Sequence, residues 1–150
     1  MNQLTKSNNL DATSDPAGYE RDFALWIETQ LEILRARKFE QLDLDNVIEE
    51  LADMGKDHRR ELRSRLEVLL IHLLKCQFQA EHKSRSWLST IRAQRSELHS
   101  LLAQSPSLKG AVDAYATDAY PAAVERAAIE IFPSENPFTP TQLLDTTFIP

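Results

Sequence analysis

Apolar residues recur at three- and four-residue steps along most of the chain, which is the spacing of one face of an α-helix. The first run predicts a helix from about Asp15-Pro16, a cap residue followed by a permitted first-turn proline, to about Lys38. Its stripe is broad, so we expect this helix to lie against a core. The stripe consists of Tyr19, Phe23, Trp26, Ile27, Gln30, Leu31 and Leu34.

Two further helices are predicted on either side of Gly55. Asn46 and Glu49 have the spacing of a capping box, and Gly55 suits a left-handed helix end, so a short helix is expected over 46–54. A longer helix, from about 57 to 80, is apolar nearly all round in its second half. Such a helix is buried on several sides, so we expect it to be the central helix of the fold.

The C-terminal half predicts two more helices and a different last segment. Ser84 or Ser86 can cap a helix over about 86–104, and Ser105-Pro106 opens a long element that Pro121 should kink or split. After residue 132, prolines forbid a long helix, while apolar side chains remain frequent. We expect residues 132–150 to wrap over the bundle, with a short helical turn beginning at Thr139.

These patterns predict an all-α, single-domain bundle of about five helices over residues 16–150, preceded by a loose tail over 1–15. The 150 residues include only three glycines, which favours helices, and Cys76 is the single cysteine. No apolar stretch approaches the ~20 residues of a membrane span, and the N-terminus lacks a signal-peptide core. A soluble protein of the reducing cytoplasm is the simplest expectation.

The net charge of −6 conceals a basic middle region. Residues 56–95 hold 10 basic and 4 acidic side chains, whereas both flanking regions are acidic. Such a region can bind an anionic partner, and a nucleic-acid-associated regulator is one alternative function. The acidic total and the interleaved carboxylates favour neutralisation within the fold instead, with pairs such as Glu61–Arg65 on a solvated helix face.

Polar side chains within the most apolar helices form the candidate site. They are Glu50, His72, Lys75, Arg92 and Arg95, with Trp87 as a possible surface aromatic. One interpretation is an ion and hydrogen-bond network that fixes helix packing, with Glu50 of the preceding helix as the partner of the cations. The other is an anion pocket in which Glu50 and His72 transfer protons, and hence an enzyme of unknown class. We favour the structural interpretation.

No familiar cofactor, metal or nucleophile pattern accompanies these residues. The four histidines form no His-x-x-x-His or Glu-x-x-His pair, so the sequence predicts no metal site, although Glu50, His72 and Cys76 are a conceivable ligand set. Apolar surroundings should leave Cys76 inert. Glycine-rich phosphate loops and nucleophile elbows are absent, so no cofactor is expected.

Several stretches together resemble the bacterial domain-of-unknown-function family numbered 29, found most abundantly in cyanobacteria. They cover the chain from about residue 16 to its end and include Tyr19 to Phe23, the segment NVIEELADMG over 46–55, HLLK over 72–75, SRSW over 84–87, SPSL over 105–108 and the closing residues 143–150. The chain has Cys76 where the family commonly has tryptophan. The resemblance implies an all-helical fold and no established activity.

The function favoured by the sequence is that of a small interaction or ligand-binding module. Its expected partner is a protein or a small anionic ligand, with no membrane, and the composition disfavours nucleic acid. Homodimerisation is a further expectation, because the heptad-like seam over 62–76 and the alanine-rich face over 112–127 could each meet a partner chain.

Overall fold

The computed structural model describes residues 18–129 and 132–150. Within these residues it contains five α-helices, three short 3₁₀ segments and no strand, which confirms the predicted all-α fold. The predicted tail, residues 1–15, lies outside the described residues. The helices are α1 (Phe23–Arg35), α2 (Leu44–Phe78), α3 (Arg85–Gln104), α4 (Val112–Ala127) and α5 (Pro140–Leu144).

The chain divides into two compact units, Met1–Asp53 and Met54–Pro150. The first unit contains α1, and the second contains α3, α4 and α5. The domain limits expected from the sequence, 16–150, stay a prediction.

Helix α1 begins later than the sequence pattern indicated. Asp22 is its N-cap, with a side chain that accepts a hydrogen bond from the Leu25 amide at 3.0 Å. Gly18 lies before it in a turn with φ of +74°, a conformation that glycine adopts without strain. Aspartate and glycine are both turn formers, and here this local chemistry prevails over the apolar periodicity that continues back through Tyr19.

The expectation of two helices separated at Gly55 is wrong, because α2 runs without a break from Leu44 to Phe78. Gly55 does not have the positive φ of a left-handed helix end. A glycine inside a helix costs only about 1 kcal/mol relative to alanine, and good helix formers flank this one. The helix also begins at Leu44 and not at Asn46, so Asn46 lies inside it and is not its cap. The Asn46 side chain donates a hydrogen bond to the Asp43 carboxylate at 2.7 Å.

The C-terminal helices follow their predicted caps more closely. Ser84 caps α3 by accepting from the Trp87 amide at 3.3 Å, and Thr139 caps α5 in a complete capping box with Gln142. The sequence indicated that Pro121 should kink or split this element, and the split is wrong, because α4 continues through Pro121. A kink at this residue stays a prediction. Proline removes one helical hydrogen bond, and burial of the neighbouring Tyr120 and Ala123 in the core offsets that loss.

The second unit has an extensive apolar core. Both faces that the sequence offered for dimerisation contribute side chains to this core, and homodimerisation stays a prediction. The heptad-like seam contributes Leu62, Leu66, Leu69, Leu73 and Cys76, and the small-residue face contributes Ala116, Ala119, Ala123 and Ala127, all at most 1% exposed.

The segment 132–150 contributes two side chains to the same core. Phe138 and Leu143 are buried, and Phe148 is partly buried against the cluster and makes an edge-to-face contact with Phe138. Phe132 and Ile149 are exposed. That the segment as a whole wraps over the bundle stays a prediction.

Candidate functional site

Arg95 is the most enclosed of the predicted site residues. It is 1% exposed, and its guanidinium donates to three backbone carbonyls: Gln142 at 2.9 Å, Leu143 at 3.0 Å and Phe148 at 2.6 Å. Burial lowers the pKa of Arg95, with opposition from Asp145. The planar guanidinium suits several acceptors at fixed angles. The contacts of Arg95 thus connect α3 to the C-terminal segment.

Lys75 and Trp87 form a contact between α2 and α3. The Lys75 Nζ atom lies 5.2 Å from the centroid of the Trp87 ring, within the range of a cation–π interaction. Trp87 is half-buried against the core, so it is only partly available as a surface aromatic. Such a contact leaves the ammonium hydrogens of Lys75 free to bind an additional acceptor.

His72 is half-buried on α2, with its Nδ1 atom 2.8 Å from the Val68 carbonyl oxygen. Because a carbonyl only accepts, Nδ1 carries a hydrogen in this contact, and Nε2 bears the lone pair if the ring is neutral. Arg92 is exposed on α3 and makes no hydrogen bond or ion pair with a residue that the structure describes.

Glu50 belongs to the first unit, where its carboxylate accepts a hydrogen bond from the Tyr19 hydroxyl at 2.6 Å. The sequence placed Glu50 on a helix preceding that of His72 and Lys75, but one helix, α2, carries all three. The helix pair on which this grouping rested is therefore not present. A shared functional site of Glu50, His72, Lys75, Arg92 and Arg95 stays a prediction.

The basic run at the start of the second unit is largely paired with carboxylates, as expected for a solvated helix face. The pair Glu61–Arg65 is confirmed at 3.2 Å. Arg63 also donates to the Asp118 carboxylate at 2.5 Å, which raises the pKa of Arg63.

His58 and Ser105, which the sequence did not pair, meet in a cleft of the second unit. The Nδ1 atom of His58 lies 3.1 Å from Oγ of Ser105, and the cleft, with a volume of about 280 Å³, is also lined by Arg59 and Ser107. A serine–histidine pair needs a third group that orients the imidazole before it can act in nucleophilic catalysis. No carboxylate lines this cleft in the described chain.

The first unit is a helical hairpin held together by polar contacts. Its second arm is the segment 44–53, the part of α2 that lies in this unit. The Trp26 indole N–H donates to Asp43 at 2.9 Å, and the Gln30 side-chain oxygen accepts from the Asp43 amide at 2.8 Å. Tyr19 pairs with Glu50, as described above. Tyr19, which precedes α1, contacts Glu50 near the end of the second arm, whereas Trp26 and Gln30 contact Asp43 just before its start. The two arms therefore run antiparallel.

These contacts perturb two pKa values. Burial of Asp43 opposes its ionisation, but hydrogen bonds from Asn46 and Trp26 outweigh burial and lower the pKa of this carboxyl. The hydrogen bond with Glu50, followed by burial, raises the pKa of Tyr19 to about 12. Both shifts favour the protonation states present at neutral pH, in which the hairpin contacts are made.

Acid should therefore weaken the hairpin. A carboxyl whose pKa is lower in the folded than in the unfolded chain contributes stability that is complete above its unfolded value, about 3.9, and is lost as pH falls through its folded value. In a Trp87→Phe background, which leaves Trp26 as the only tryptophan, we expect its emission to stay constant from neutral pH to about pH 5 and to change below about pH 4. Asp43→Asn should show a smaller transition in this range, and an unchanged transition would contradict the role of Asp43.

The hairpin exposes a set of large apolar side chains, which we call the hairpin face. It consists of Phe23, Ile27, Leu31 and Leu34 on α1, Phe39 in the connection, and Leu44, Ile48 and Leu51 on α2. These side chains are 38–63% exposed. The expectation that the apolar stripe of α1 lies against a core is therefore wrong for most of its members, and only Trp26 and Gln30 are buried.

Helical geometry places both rows of the hairpin face on one side. At about 100° per residue, the α1 row lies roughly a quarter turn from Trp26, which faces the other arm. The α2 row lies roughly a third of a turn, in the same sense, from Asp43 and Glu50. Because the arms are antiparallel, equal senses of rotation turn both rows to the same side. Leu25, also exposed, lies on the opposite side of α1.

One known family model matches most of this chain. The family model described as "Domain of unknown function DUF29" matches residues 19–149. The chain belongs to the DUF29 family. This confirms the resemblance seen in the sequence, and the match covers both units of this DUF29 protein. No curated protein and no solved structure matches the sequence.

Two further observations concern metals and membranes. Within residues 18–129 and 132–150, no three His, Cys, Asp or Glu side chains are grouped as a metal site would require. No helix in the described part of this DUF29 protein has the length and apolarity needed to cross a bilayer.

Proposed function

We propose that this DUF29 protein is an interaction module that binds an amphipathic helix of another protein on the hairpin face. The observation that carries the proposal is the concentration of exposed apolar side chains. Of the twelve large hydrophobic residues that are exposed in the described chain, nine lie between Phe23 and Leu51, and eight of these form the hairpin face.

The size of the hairpin face supports a specific contact. Eight side chains of this kind, each about half exposed, present about 700 Å² of apolar surface. Monomeric proteins seldom expose a contiguous apolar patch of more than a few hundred Å². A standard protein–protein interface buries about 800 Å² on each partner. The hairpin face is thus large enough to supply most of one side of such an interface.

The shape of the hairpin face favours a helix as the occupant. Two antiparallel helices that expose rows on the same side form a groove between the rows, and amphipathic helices bind in such grooves through residues spaced three and four apart. The α1 row, from Phe23 to Leu34, extends about 16 Å, so about three turns of a partner helix can lie along it. A cytoplasmic location is part of this proposal, and the buried, unpaired Cys76 is compatible with it.

Substitutions on the hairpin face should weaken binding of a model helix. The probe is a fluorescent peptide of about 18 residues with leucine at helical a and d positions and uncharged flanking residues. We expect the double variant Leu31→Asn, Ile48→Asn to raise the Kd at least about tenfold, because both side chains would lose apolar contacts. Fluorescence anisotropy provides the measurement.

Leu25→Asn is the matched control, because Leu25 is equally apolar and exposed but lies on the opposite side of α1. It should bind the peptide as the unmodified protein does. Equal binding by the double variant and this control would contradict the proposal, as would a failure of the unmodified protein to bind. Light scattering should show a monomer. A dimer that the double variant dissociates would identify a second copy as the occupant and overturn the proposal.

A further inference from the structure

We infer that the helix bound by the hairpin face carries basic residues on both sides of its apolar stripe. This inference rests on the proposed function, since it concerns the partner of that same surface. It follows from the charges that border the hairpin face, and it distinguishes a basic partner from a second copy of the chain.

Acidic side chains lie along the outer sides of both arms. Glu28 is on α1, about a quarter to a third of a turn beyond the apolar row and away from the other arm. Asp45 and Glu49 have the corresponding position on α2, one helical turn apart. All three are exposed, and none forms an ion pair with a residue that the structure describes. The hairpin face is therefore flanked by carboxylates that are available to a partner.

The charge of the whole hairpin has the same sign. Residues 18–53 contain ten acidic and four basic side chains, a net charge of −6. Among the basic residues, Arg35 ends α1 on the same side of the helix as Glu28, and Arg37 and Lys38 lie in the connection between the arms. The net negative charge attracts a basic partner to the hairpin, and the association rate of that partner would depend on salt.

A second copy of the chain would meet this surface with the same charge. An isologous dimer brings identical patches together, so two hairpins of −6 would be apposed around one apolar contact. Like charges across an interface disfavour association, and this repulsion is strongest at low ionic strength. Charge complementarity therefore favours a helix with lysine or arginine beside its apolar residues.

Two peptides that share one leucine stripe test this inference. In the first the flanking positions are lysine, and in the second they are glutamate. We expect the lysine peptide to bind at least about tenfold more tightly at an ionic strength of about 50 mM, and the difference to shrink at about 500 mM. The triple variant Glu28→Gln, Asp45→Asn, Glu49→Gln should reduce the preference severalfold while it retains binding of the uncharged peptide.

The outcomes separate the inference from the proposed function. Equal affinity for the lysine and glutamate peptides, with the uncharged peptide still bound, would overturn the inference and leave the interaction module in place. An unchanged preference in the triple variant would also overturn it. Failure of all three peptides to bind the unmodified protein would overturn the proposed function itself. The variant Glu125→Gln is a control, because Glu125 is an exposed carboxylate on α4 of the second unit and does not belong to the hairpin.

Discussion

Replacing Arg95 by methionine should destabilise the protein by about 3–5 kcal/mol, because three backbone carbonyls lose charge-assisted donors at once. Methionine fills much of the same volume but donates no hydrogen bond, so the carbonyls of Gln142, Leu143 and Phe148 would stay unsatisfied or draw water into the core. Removal of a buried cation recovers part of this loss, since the guanidinium is desolvated. Urea unfolding followed by circular dichroism measures the difference.

Arg92→Met is the matched control for this prediction. It makes the same change on the same helix, three residues earlier, but Arg92 is exposed and we expect an effect within about 0.5 kcal/mol. Arg95→Lys should behave nearly like Arg95→Met, because an ammonium on a flexible stem cannot donate along three fixed directions. Chymotrypsin should also cleave the Arg95→Met variant earlier, at the aromatic residues of the C-terminal segment. Equal stability of Arg95→Met and Arg92→Met would contradict the assignment.

The sequence identified Arg95 but not its partners, and the reason is physical. A cation among Ile91, Leu98 and Leu102 on one helix face must be compensated, so its importance was visible in the pattern. The sequence suggested a carboxylate as its partner because acidic side chains can be recognised there. Backbone carbonyls belong to every residue, and the sequence does not show which of them will be directed at a given donor.

The error at Gly55 has a different origin. The capping box and the glycine were local signals for a helix end, each worth about 1 kcal/mol. Such signals compete with the continuation of a helix whose second half is buried in a core. The outcome depends on residues from Leu62 onward, which supply the packing that holds α2. Local sequence alone cannot decide that competition.

The sequence pattern of α1 correctly predicted a helix but did not reveal that the hairpin face is exposed. The apolar periodicity of α1 predicted the helix, and the usual inference from such a stripe is burial. A stripe that is buried in a core and a stripe that binds a partner have the same spacing, so periodicity does not distinguish them. Its breadth was the available signal, because Trp26 and Gln30 are the only residues of α1 that are buried.

Trp26→Ala should unfold the hairpin locally. Trp26 is 2% exposed and is the only large apolar side chain buried in the first unit among the described residues. Loss of a buried tryptophan costs about 3–5 kcal/mol, and Asp43 would also lose the indole donor. A small two-helix unit has little other burial to offset such a loss. We therefore expect the amides of α1 to exchange with solvent at least about a hundredfold faster, as measured by hydrogen exchange.

Two variants separate the packing of Trp26 from its hydrogen bond and from general effects on α1. Trp26→Phe keeps an aromatic ring but not the indole N–H, so it should show a smaller loss of protection, of about 1 kcal/mol. Leu25→Ala removes a large side chain of α1 that is 55% exposed, and it should leave exchange in α1 close to that of the unmodified protein. If Trp26→Ala exchanged no faster than Leu25→Ala, the hairpin would not depend on Trp26. The hairpin face would then need another source of rigidity to present its two rows on one side.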